Sequence, residues 1–176
     1  MRNIKRAFWA TLVGLTLLWL LAEPTVFQSA TFFGLRAAMM QVTGVLAIGS
    51  MSVAMVLALR PRSPERWLGG LDKMYRLHKW FGIAALVAAV VHWLWAQGPK
   101  WAVGWGWLER PVRGARRIVE NPVEAFFLSL RGIAEAVGEW AFYAAVVLIV
   151  LALLRYFPYR LFYKTHRLLA VSYGVL

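Results

Sequence analysis

At 176 residues, 61% of them hydrophobic and ten of them tryptophan, with a mean hydropathy of +0.59, the chain is too apolar for a soluble domain, whose apolar share is about 45 to 50%. It belongs in a bilayer. The formal charge of +12 does not indicate a nucleic-acid partner, because Lys and Arg fall in short clusters between apolar runs and not along one polar face. With no cysteine, the chain itself can hold no disulfide, thiolate metal site or iron-sulfur cluster, so redox chemistry would rest on a bound cofactor.

Crossing the hydrocarbon takes roughly 20 apolar residues. The first such run, about 7–22, is introduced by Arg2, Lys5 and Arg6 and closed by Glu23 and Pro24. The small-x-small pattern of a signal-peptide cleavage site is poor around Ala22 and Ala30, which favours an uncleaved span. The second run is 37–59, with Thr43, Ala47, Ser50 and Ala54 on one face at the spacing that lets membrane helices approach closely. The third, about 76–96, lies in "YRLHKWFGIAALVAAVVHWLWA". A loop from Gln97 to Glu139 follows, in which "KWAVGWGWLERP" suits the interfacial zone. Further on, Asn121 and Glu124 read as a capping box with Pro122 in the first turn. Val123, Phe126, Phe127, Leu130, Ile133, Ala134 and Val137 then make the apolar stripe of a helix lying on the membrane surface. The fourth span is 137–154. A fifth, 161–176, starts after the break at Pro158 and does not end by Leu176. The expected fold is all-α: one transmembrane helical bundle over 1–176, with five spans seen and a sixth beyond the end of the chain.

A cytoplasmic N-terminus places thirteen of the twenty Lys and Arg inside, against only Glu65 and Asp72, and leaves seven outside beside six carboxylates. The positive-inside rule therefore orients the chain that way in a cell (inner) membrane. Six cations in the outer loop run against it.

Two of the three histidines, His78 and His92, stand at the ends of the third span. They are fourteen residues apart, just under four helical turns, and so share a face about 21 Å apart along the axis. Steps of four and three residues join them through Gly82, Ala85 and Ala89, a small-residue stripe that leaves room for something flat and wide. A lone histidine at a span's end is ordinarily an interfacial polar residue. Three histidines at span ends, two joined by such a stripe, favour haem with imidazole axial ligands. His166, five residues into the fifth span, lies at the depth of His78 and pairs with it for an inner haem. His92 finds no second imidazole in this sequence. The fifth span reaches only mid-bilayer, about 15 Å past His166, so we expect a chain cut within that span, with the missing ligand shortly beyond Leu176.

"LHKWFGIAALVAAVVH" and "YKTHRLLAVSYGVL" together resemble the transmembrane domain of the ferric reductase and NADPH oxidase superfamily. The resemblance covers essentially the whole chain. It implies six helices holding two b-type haems, with ligands from the third and fifth helices: His78 and His166 for the inner haem, His92 for the outer. It also implies an oxidoreductase that passes electrons from cytoplasmic NAD(P)H through FAD and the haems to an outer acceptor. Arg76, Lys79, Lys164 and Arg167 lie where cations would meet inner-haem propionates, with membrane anchoring as the competing role. Tyr173 matches an aromatic that the family's oxidases place between haems, with core packing as the competitor. Arg36 matches a cation near the outer haem. No residue is assigned a catalytic role.

Two departures narrow the expectation. Family oxidases that reduce oxygen carry a further histidine one turn past the outer ligand, where this chain has Ala96, so a ferric complex or another acceptor is expected in place of oxygen. No Gly-rich dinucleotide fingerprint is present, so the flavin and nicotinamide module is expected in cis beyond the chain or on a partner. Alternative roles are a haem-bearing membrane subunit feeding a periplasmic reductase, and a haem-free scaffold or transporter subunit.

Overall fold

The computed structural model describes residues 2–24, 31–109, 121–154 and 158–175. Among them every regular element is a helix: α1 (Arg2–Ala22), α2 (Phe32–Ala58), α3 (Arg62–Leu68), α4 (Leu71–Gly104), α5 (Pro122–Leu153) and α6 (Tyr159–Val175). The chain divides into two compact units, Met1–Trp105 and Gly106–Leu176. Helices α1, α2, α4 and α5 are long and apolar enough to cross a membrane. The protein is an all-α, multi-pass membrane protein of bundled helices. Helix α6 spans 17 residues, shorter than the other four.

In the first unit, α2 and α4 run antiparallel and form the main packing pair, with α1 against both. The face of α2 read from its small residues is the buried one: Thr43, Ser50 and Ala54 are buried. In lipid no hydrophobic effect drives helices together, so close approach must come from small side chains and dispersion. At one end Ile4, Ala54, Leu57, Leu68, Met74, Leu77 and Phe81 close into a core. Phe8 of α1 sets its ring 5.2 Å from Phe81 and 5.5 Å, edge-on, from Trp80. The short α3, which the sequence reading did not anticipate, ends at Gly69 and Gly70. Their φ angles of 86° and 128° suit glycine, which has no Cβ to clash. Asn3 Nδ2 donates to the Trp67 carbonyl at 2.9 Å and ties α3 to α1.

Helix α4 has 34 residues, about 51 Å at 1.5 Å per residue, so it outruns a hydrocarbon core of roughly 30 Å. It continues eight residues past the predicted end at Ala96, through Pro99.

In the second unit, α5 starts as the sequence indicated, with Asn121 Oδ1 accepting from the Val123 N–H at 2.9 Å and Pro122 in the first turn. The expected division into a surface helix and a separate span at Val137 does not occur. One continuous helix of 32 residues covers both. No proline interrupts it, and Arg131 and Glu135 bridge one turn at 2.7 Å, so nothing local breaks the hydrogen-bond ladder. Among the described residues of this unit, Ala141, Ala145 and Ile149 of α5 and Leu169 and Ser172 of α6 are buried. The cations expected between Arg110 and Glu120, and Arg155, lie outside the described residues.

Candidate functional site

His78 and His92 both stand on α4 with half-buried side chains, and each turns Nδ1 to a backbone carbonyl of α2. His78 Nδ1 lies 2.8 Å from the Ala54 oxygen, and His92 Nδ1 lies 2.9 Å from the Met40 oxygen. A carbonyl can only accept, so in both rings Nδ1 carries the proton and donates. In the neutral imidazole the lone pair is then on Nε2. Metal-bound histidines are held in this way, with the second ring nitrogen bonded to a carbonyl that fixes tautomer and ring angle.

Ala54 and Met40 are themselves fourteen residues apart, the same interval as His78 to His92. Because α2 and α4 are antiparallel, one register serves both rings. At His92 the seat has two further parts. Thr43 Oγ1 lies 3.2 Å from Nδ1, and a Cβ at Gly44 would lie 3.5 Å from the ring's Cε1 and Nδ1.

The stripe between the histidines is not uniform. Among the described residues a Cβ on Gly82 would meet no atom of another element within 4 Å, Ala89 is half-buried, and Ala85 is 2% exposed. Space beside α4 is therefore found at Gly82, whereas Ala85 is packed within the unit. A cleft of about 470 Å³ opens among Phe8, Leu12, Thr43, Ser50, Trp80 and Val87. It is almost wholly apolar and none of the stripe residues lines it, but Thr43 joins it to the seat of His92; donor geometry, not cavity size, marks the candidate site.

Arg36 is placed by the backbone. Its Nε donates to the Trp95 carbonyl at 3.1 Å and its Nη2 to the Ala96 carbonyl at 3.3 Å, one turn beyond His92. Arg76 and Lys79 flank His78 on α4 and are exposed.

In the second unit, His166 is half-buried on α6, and its ring stacks on Phe162, one turn earlier, at 5.0 Å and 14°. Tyr173, two turns on, is half-buried, and Lys164 is exposed. The Arg167 guanidinium lies 5.5 Å over the Tyr163 ring, a cation-π contact.

Among the described residues, no three His, Asp or Glu gather to hold a bare metal ion. Single imidazoles presenting Nε2 fit instead a macrocycle that brings its own equatorial nitrogens. The first unit thus sets two backbone-oriented imidazoles at two depths along one long apolar helix. The family model of the ferric reductase like transmembrane component matches residues 43–176, and the chain belongs to that family. No curated protein and no solved structure matches the chain. Membership points, at the level of the family, to an oxidoreductase role in transmembrane electron transfer.

The carbonyls of Met40 and Ala54, and the nearness of Thr43 and Gly44 to His92, were not foreseen. Thr43 was legible as a packing residue, but its contact with His92 depends on the register of α2 against α4.

Proposed function

We propose that this protein carries electrons across the membrane through b-type haem, from a cytoplasmic NAD(P)H and flavin module, in cis or in trans, to an outer acceptor such as a ferric complex. The observation that supports this reading is the pair of Nδ1-to-carbonyl hydrogen bonds, which leaves Nε2 of His78 and of His92 as the donor atom. When bound, haem supplies a one-electron iron couple at each depth. The chain's part is to hold and orient it. His78, with His166 as the second ligand, would hold the inner haem, and His92 would hold the outer one. Gly82 would leave room for it beside α4. Arg76, Lys79 and Arg167 would be the cations for inner propionates, and Tyr173 the aromatic between the haems.

The test is haem content per protein in the purified chain, with His78→Ala, His92→Ala and His166→Ala beside it. We expect a low-spin Soret spectrum in the parent, lost in part by His78→Ala and by His166→Ala in the same component, and in a different component by His92→Ala. A colourless parent, loaded or not with added haemin, would overturn the reading.

A further inference from the structure

We propose that Thr43 is a positioning residue for His92, holding the imidazole's proton so that Nε2 becomes a stronger donor to iron. The inference rests on the haem reading above and goes beyond it, to what sets the properties of the outer site. The Thr43 hydroxyl gives its own proton to the Met39 carbonyl, one turn back. Its lone pairs are thus left to face His92 Nδ1, at 3.2 Å, while the Met40 oxygen stands at 2.9 Å on the same nitrogen. One N–H is shared by two acceptors.

The side chain that provides the second acceptor is itself fixed. Thr43 is 8% exposed, and β-branching stiffens its χ1. Gly44 closes the seat, since it lets the ring lie where a Cβ would be in ordinary contact at 3.5 Å. Pull on the Nδ1 proton from two oxygens raises the basicity of Nε2. A more basic axial nitrogen favours ferric over ferrous iron and so lowers the midpoint potential. Loss of such a partner typically costs about 10- to 100-fold in metal affinity.

The experiment compares Thr43→Val, which keeps the shape and loses the hydroxyl, with Thr43→Ser, which keeps the hydroxyl. Both are made in the full, haem-loaded chain in detergent, and the haem component that vanishes in His92→Ala is followed. We expect Thr43→Val to loosen that component about tenfold and to raise its midpoint, each tenfold change in the ferric-to-ferrous binding ratio being about 59 mV for one electron. Its ferric EPR signal should broaden as the ring angle loosens, and Thr43→Ser should restore all three readings. If Thr43→Val does not accumulate, Thr43→Ala against Thr43→Ser makes the same comparison. Equal shifts in the hydroxyl-bearing and hydroxyl-free variants would assign the effect to packing and overturn the proposal, as would no shift in either. A parent from which His92→Ala removes no haem would overturn the functional reading, and this inference with it.

Discussion

The guanidinium of Arg36 sits on the carbonyl of Trp95, Nε to O at 3.1 Å, and the reason lies four residues further along α4. The Trp95 oxygen would ordinarily accept from the N–H of residue 99, but that residue is Pro99, which has none. In lipid an unsatisfied carbonyl is costly, and Arg36 of α2 supplies the absent donor. Arg36→Leu should therefore destabilise the protein by about 1–3 kcal/mol, read as thermal unfolding in detergent. In a Pro99→Ala background, where the helix regains its own N–H, the same change should cost clearly less. Additive effects of the two substitutions would disprove the link.

Gly82 and Ala85 separate ligand space from packing. A leucine at Gly82 enters volume that, among the described residues, no atom of another element occupies within 4 Å of its Cβ, so the fold should tolerate it while haem content falls. A leucine at Ala85, which is 2% exposed, overpacks the unit and should cost about 1–3 kcal/mol in stability with haem loss following. Haem per protein and unfolding temperature, measured on both, distinguish the two. Undiminished haem in Gly82→Leu would place the ring plane elsewhere.

At Gly44, size decides. Gly44→Ala puts a Cβ 3.5 Å from the His92 ring, an ordinary contact, and should leave haem binding unchanged. Gly44→Leu should drive the imidazole off its seat and deplete the component that depends on His92, sparing the one that depends on His78. Optical spectra of the two variants, normalised to protein, would show it.

Ser50 is fully buried, and its Oγ has no hydrogen-bond partner among the described residues. A hydroxyl in that position contributes smallness to the α2 face and little else. Ser50→Ala should thus be neutral or stabilising by up to about 1 kcal/mol, since it removes an unpaired polar group. A loss of more than that would show that the hydroxyl has a partner in the membrane.

Long apolar runs made the helices readable in the sequence, and the small face of α2 was readable from Thr43, Ser50 and Ala54, because periodicity and side-chain size are local properties. The imidazole face of α4 was readable for the same reason. What escaped was relational. Arg36 was read as a cation near a cofactor; its contacts with two α4 carbonyls, one of them freed by a proline sixty-three positions away, had no local signal. The continuity of α5 was hidden because a charged pair, Arg131 and Glu135, resembles the edge of a surface segment when it can also decorate an exposed turn of one long helix.

The shared interval of fourteen residues, Met40 to Ala54 on α2 and His78 to His92 on α4, restrains length as well as composition. Inserting or deleting one residue inside either interval turns everything beyond it by about 100° and parts one imidazole from its carbonyl while the other stays in place. A compensating change in the opposite helix must come at the matching depth. Seven residues added to both helices would return each end to within about 20° of its face, but would move the two sites about 10.5 Å further apart. Point substitution leaves this register intact whatever it does to packing, whereas a frame-preserving gain or loss of a few codons in either helix uncouples the two depths.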